Sequence, residues 1–309
     1  QVTFIYPSGL SPRCKLNRDH SQSRKKSEDM AEVVISTHGA SFADVVAIAR
    51  GGAKVVISQE SLAAMQKSRD HVEALAASDT PVYGISTGFG ALANRHVSTD
   101  LRTQLQRSLI RSHAAGVGSP VEVEVVRALM ALRLKTLASG RTGVRPIVAE
   151  TMAAILNAGI TPLVREFGSL GCSGDLAPLA HCALVLMGEG EAVGKDGVAK
   201  PVAQLLKAAG IEPVQLAEKE GLALINGTDG MLGMLILAIH DLRTLVDSAD
   251  VVAAMSVEGL LGTDRVFIPE LHAPLRSHPG QATSAARMLA TLAGSGIVAS
   301  HLHNDDRVQ

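Results

Sequence analysis

Apolar residues recur at helical spacing along most of this chain, and glycine or proline punctuates the intervals. Val45, Ile48 and Ala49 share one face of a short segment opened by Ser41, which predicts a helix stopped by Gly51-Gly52. Lys54-Val55-Val56-Ile57 reads as a brief extended piece, and Ser58 as the cap of a second helix to about Ala77. Thr99 caps a helix that carries Leu101, Leu105 and Leu109 toward His113. Ser119-Pro120-Val121-Glu122 has the N-cap serine, N1 proline and N3 glutamate of a strong helix start. That helix runs to about Ala138 and stops at Gly140, and Pro146 opens another that ends near Gly159. A further helix is expected from about Asp175 to Met187. Lys195-Asp196-Gly197-Val198 reads as the turn of a small hairpin. Pro201 to Ala209 is a short helix with Gly210 as its stop, and the last helix spans about 281–292.

Residues 227–255 are nearly apolar all round, which predicts a helix in the middle of a bundle. The longest apolar run, 231–239, is broken by His240, Asp241 and Arg243 and is too short to span a bilayer. The pattern gives a mainly α fold. No fixed-period repeat is visible.

Composition agrees with packed helices. Of 309 residues 46% are hydrophobic but only 2% aromatic, so the core must be built from Ala, Leu, Val, Ile and Met. A formal net charge of −1 gives no electrostatic footprint for nucleic acid. Cys14, Cys172 and Cys182 are too few for a disulfide framework and have no C-x-x-C spacing, so a cysteine metal site is not expected and a reducing cytoplasm is. His301-x-His303 reads as a solvated tail, because histidines two apart do not share a helix face. Residues 1–29 lack an apolar signal-peptide region and carry six Lys/Arg against three Asp/Glu. They read as a disordered extension with Met30 as the natural first residue; a basic binding arm is the sharper alternative.

The chemistry concentrates in Gly171-Cys172-Ser173-Gly174-Asp175, just before an apolar helix. Ser173 can lose its hydroxyl as water, and Gly174 has no Cβ to shield its nitrogen. In a tight bend that nitrogen can attack the Cys172 carbonyl and leave an electrophilic ring made from the chain itself. The plainer reading is a helix-entry turn. Ser173 as a hydrolase nucleophile fails on spacing, one residue short of Gly-x-Ser-x-Gly. Tyr83 lies in the glycine-rich run 82–90, and its phenol is a candidate general base or a simple loop anchor. A free phenol has a pKa of about 10, so the first role needs a helpful environment. The run lacks the Gly-Lys-Ser/Thr ending of a phosphate loop. His113 is either a functional imidazole or a cation suited to a helix C-terminus. His181 reads as a core histidine. Asn226, an amide after an apolar run, is either functional or the N-cap of the long helix.

Taken together and in this order, 82–90, 109–116, 168–181 and 220–228 resemble the aromatic amino acid ammonia-lyases, over about residues 30–309. The resemblance implies a mostly helical homotetramer with shared active sites and an amino acid substrate, in which residues 30–225 form an N-terminal helical domain and 226–309 begin a long-helix central bundle. It implies a 4-methylidene-imidazol-5-one (MIO) electrophile, self-formed from an Ala-Ser-Gly tripeptide that maps onto Cys172-Ser173-Gly174, with cysteine in place of the usual alanine. Ring closure uses the main-chain carbonyl, so cysteine is chemically compatible, and no metal is involved. Tyr83 matches the base that removes the β-proton, and Asn226 the amide that positions the substrate. Asp175 matches a residue that fixes the loop. His113 after Ser112 matches the position that selects imidazole, which implies elimination of ammonia from L-histidine to give trans-urocanate. Gln309 matches a site-lining glutamine. The family's carboxylate-binding tyrosine and arginine come after that position, so an N-terminal fragment with impaired activity is expected. The alternatives are a phenylalanine or tyrosine lyase or aminomutase, and a non-catalytic helical scaffold in which the ring never forms.

Overall fold

A computed structural model describes residues 31–78, 80–171, 174–276 and 278–301 of the chain. The expected extension at 1–29 lies outside them, as do Cys172, Ser173 and Gln309. The first elements are β1 (Glu32–Ile35), α1 (Phe42–Ala49) and β2 (Lys54–Ile57). The two strands are parallel, with Val33 opposite Val55, so α1 serves as the crossover that parallel strands require. Ser41 and Asp44 form a reciprocal capping box at the start of α1. The strand β1 is not anticipated from sequence.

α2 (Gln59–Ala76) starts where Ser58 Oγ accepts the Ser61 N–H at 3.1 Å. α3 (Thr99–His113) follows the glycine-rich segment, with Ser98 and not Thr99 in the cap position. Next come β3 (Val117–Pro120), α4 (Val123–Ala138), α5 (Pro146–Asn157), β4 (Thr161–Pro162) and β5 (Arg165–Phe167). The expected helix start at Ser119-Pro120 is therefore corrected. That backbone pairs with β5, Pro120 opposite Arg165, and the Val121 N–H donates to Val164 O at 2.9 Å. Cross-strand bonds hold the segment extended, and Glu122 becomes the cap of α4.

α6 (Leu176–Leu186) precedes β6 (Glu191–Val193) and β7 (Ala199–Pro201), which form the expected hairpin, and β6 also pairs with β4. α7 (Val202–Ala209) ends at Gly210, whose φ of 67° is left-handed. α8 (Glu220–Ile225) is a short helix not anticipated from sequence, and α9 (Asp229–Gly259) is the long one. α10 (Pro269–His272), α11 (Pro279–Leu292) and α12 (Gly296–Ser300) complete the described chain, so the helix at 281–292 is followed by another turn.

The centre of the core is α4. Val126, Leu129, Met130, Leu134 and Leu137 are all buried, and α4 packs against α1, α5 and α9. α9 approaches it closely because Gly233 faces Ala128; a Cβ there would lie 3.1 Å from the alanine methyl. Behind this seam, Val45, Ala49, Ala128, Leu132, Ile236 and Leu237 make a second apolar cluster. The other side of α9 is open, with Leu242, Leu245, Val246 and Val252 exposed. Its far end packs on α11 and α12, and His301 Nε2 contacts Gly262 O at 2.8 Å. His301 is thus a half-buried anchor and not part of a solvated tail; His303 lies outside the described residues.

Candidate active site

Asp175 organises the site. It is 1% exposed and immediately precedes α6, yet its carboxylate does not cap that helix. Instead Oδ2 accepts the N–H groups of Gly230 and Met231, at 2.7 and 3.0 Å, on the first turn of α9. Thr228, the residue in the N-cap position of α9, makes no side-chain cap bond. The carboxylate of one element therefore satisfies the orphan donors of another, where helix charge favours an anion. Oδ1 accepts the Ser169 hydroxyl at 2.7 Å. This fits the loop-fixing role expected for Asp175.

The loop itself is held at both ends. The Leu170 N–H donates to Gly174 O at 3.0 Å, and Gly171 takes a φ of 82° that lets the chain turn tightly. On the other side the Asp175 N–H donates to Gly227 O at 2.9 Å, and Gly174 and Gly227 form a parallel bridge. Gly174 thereby sits beside the Asn226-Gly227 turn.

Asn226 follows α8 and is exposed. Its side-chain nitrogen donates back to Leu222 O at 2.7 Å, closing the end of α8. It is not the N-cap of the long helix; Thr228 holds that position. Beneath the turn lies Arg133 of α4, 2% exposed, whose guanidinium binds Ala223 O and Asn226 O at 3.0 and 2.8 Å and pairs with Asp229. Burial pushes the Asp229 carboxyl up, against the pull of Arg133.

Tyr83 is 53% exposed and packs edge-on against Phe89, ring centroids 6.1 Å apart. The next residue, Gly84, abuts Leu222: a Cβ there would come within 2.7 Å of its side chain. The tyrosine loop thus lies against the helix that carries Asn226. His113 closes α3, which packs on both α6 and α8. Its Nδ1 lies 2.9 Å from Leu109 O and 3.0 Å from Ser112 Oγ. A carbonyl only accepts, so Nδ1 is the donor in the contact with Leu109 O. Beyond His113, the Gly116 N–H donates to His181 Nε2 at 3.2 Å, tying this segment to α6. Burial, then Arg165, lowers the His181 pKa. Cys182 is buried, and desolvation raises its thiol far from any nucleophilic range.

Gly174 and the Asn226-Gly227 turn meet directly at the parallel bridge, the Tyr83 loop reaches α8 through Gly84 and Leu222, and His113 ends α3, which packs on α6 and α8. Two residues of this constellation escape sequence reasoning, Arg133 and Asp229. The available signal was Arg133 itself, a lone charge in Ala128-Leu129-Met130-Ala131-Leu132-Arg133-Leu134.

A family model for aromatic amino acid lyases matches residues 40–309. The chain belongs to the aromatic amino acid lyase family. Histidine ammonia-lyase of Streptomyces coelicolor is 64% identical over 280 residues, covering 91% of this chain and 54% of that protein. Tyrosine aminomutase from Streptomyces globisporus has a similar crystal structure, with TM-score 0.80, 42% identity, and 86% and 50% of the two chains covered. Histidine ammonia-lyase from Trypanosoma cruzi gives TM-score 0.78 at 34% identity, covering 84% and 50%. The chain spans about half the length of the curated relatives it matches. As in these lyase-fold neighbours, the architecture is mainly helical. Among the described residues, no helix is long and apolar enough to cross a membrane.

Proposed function

We propose that this chain bears the electrophile-forming part of a histidine ammonia-lyase site, which eliminates ammonia from L-histidine to give trans-urocanate. The observation that carries the reading is the clamp on Gly174, through Leu170, Gly227 and Asp175, beside Asn226. It suits a tripeptide that must close on itself. Closure joins the Gly174 nitrogen to the Cys172 carbonyl carbon. The carbonyl oxygen leaves as water with the amide protons of Ser173 and Gly174, and the Ser173 hydroxyl leaves as a second water with its α-proton. The pinned turn fits MIO, and Cys172, Ser173 and Gly174 would supply it. When formed, the group supplies an electrophile that draws electron density from the substrate.

The remaining roles belong to ordinary side chains. Tyr83 Oη, on an exposed loop, accepts the substrate β-proton. Asn226 positions the substrate amine, its side chain held by Leu222 O. His113, with Nδ1 engaged by Leu109 O, offers Nε2 as an acceptor for an imidazole N–H. Gln309, outside the described residues, is assigned to substrate binding on the family resemblance alone. The exposed apolar side of α9 supports assembly as a homotetramer with shared sites, and the reading places the enzyme in the cytoplasm without metal, membrane or nucleic acid. Spanning about half the length of the lyases it matches, the 309-residue chain by itself should turn over slowly or not at all.

The similarity to a tyrosine aminomutase supports a second reading, a lyase or aminomutase acting on tyrosine or phenylalanine. Ser112-His113 favours histidine. Mass analysis of the peptide spanning Cys172-Ser173-Gly174 tests the chemistry. A peptide two waters light is expected, and an unmodified peptide would leave only a helical scaffold. Binding of L-histidine, L-tyrosine and L-phenylalanine by the ring-bearing protein tests the substrate; preference for tyrosine would favour the second reading.

A further inference from the structure

We propose that Arg133 is a positioning residue that sets Asn226 and, through Gly227, the Gly174 end of the ring-forming loop. The proposal rests on the ring-forming reading above. Arg133 projects from α4, a largely buried helix, into the turn between α8 and α9. Among the described residues, every bond its guanidinium makes falls between residues 223 and 229, to Ala223 O, Asn226 O and the Asp229 carboxylate, and Nε makes none. A planar guanidinium can span three acceptors at once, which an ammonium cannot.

The neighbouring geometry shows what the fork holds. Gly227 lies flat against it, and a Cβ on Gly227 would run into Arg133 Nη2 and come within 2.5 Å of Asp229 Oδ2. The same Gly227 offers its carbonyl to the Asp175 N–H and bridges Gly174. Asn226 is held at its backbone carbonyl by Arg133 while its side chain returns to Leu222 O. One buried cation thus holds Asn226 directly and Gly174 through Gly227. Ring closure requires the Gly174 nitrogen within reach of the Cys172 carbonyl, so a loosened turn slows closure even when the fold survives.

Arg127 provides a matched control. It lies on the same helix and is 8% exposed, but its guanidinium binds Ile48 O and Leu156 O. Arg133→Met, Arg133→Lys and Arg127→Met are prepared in the 309-residue chain beside wild type. Helical content is checked by circular dichroism, and the fraction of the 172–174 peptide two waters light is followed over time. Both Arg133 variants are expected to close about tenfold or more slowly, Lys less severely than Met, while Arg127→Met closes like wild type. Closure at the wild-type rate in either Arg133 variant would overturn the proposal. So would equal slowing in Arg127→Met, or unfolding of both Arg133 variants, which would make Arg133 a folding residue only. An unmodified peptide in wild type itself would instead remove the ring-forming reading, and this proposal with it.

Discussion

His181 lies on the second turn of α6, half-buried, with Nε2 accepting the Gly116 N–H. An accepting nitrogen carries no proton, so the bond requires neutral imidazole. Burial and the nearby Arg165 both oppose protonation and lower the pKa. The unfolded chain takes up a proton near pH 6.5 that the folded chain refuses. Stability therefore falls as pH drops below about 6.5, down to the depressed native pKa, and His181 contributes no slope above that window. Thermal midpoints should decline from about pH 7 toward pH 5.5 in wild type. His181→Gln, whose amide oxygen accepts the same N–H without titrating, should decline less; an unaltered slope would assign the effect elsewhere. The residue type and position were legible as a core histidine. The Gly116 partner was not, because it lies 65 residues away. The same limit hid Arg133: its burial in α4 was readable from its apolar neighbours, but its target at 223–229 was not.

Among the elements, the helices with clear caps and glycine stops were readable. Ser41, Ser58 and Gly210 act as local chemistry dictates. What failed were short elements fixed by distant partners. Ser119-Pro120 has every local mark of a helix start, yet pairing with β5 and the bond to Val164 outweigh it. β2 illustrates the same dependence in a form that can be measured. The Val55 N–H and carbonyl, on the edge away from β1, bond to the side-chain amide of Asn157 at 2.8 and 2.9 Å. The last residue of α5 thus acts as a third strand one residue long. Val55 is buried, so removing the amide strands a donor and an acceptor. Asn157→Ala should cost about 1–3 kcal/mol in urea unfolding and speed hydrogen exchange at the Val55 amide. Unchanged exchange there would show that water replaces the side chain freely.

At the scale of the molecule, α9 was expected in the middle of a bundle, and its sequence carries apolar residues suited to that place. In the described chain only one side is covered. Gly233, Ile236 and Leu237 meet α4 and α1, while Leu245 is 64% and Val252 60% exposed, beside Leu242 and Val246. Within the described residues α4 holds the buried centre. A contiguous apolar side of this kind favours association, since burial contributes roughly 25 cal/mol per Å² removed from water. The 309-residue chain should therefore sediment as a species larger than a monomer. Leu245→Glu combined with Val252→Glu should reduce that association. It should leave helical content and the unfolding midpoint nearly unchanged, because neither side chain packs within the chain. Ile236→Glu is the opposite case: 2% exposed against α1 and α4, it should unfold the protein, not merely disperse it. If wild type and the double glutamate variant are both monomeric at the same concentration, the open side of α9 does not drive self-association, and the support it lends to a homotetramer is withdrawn.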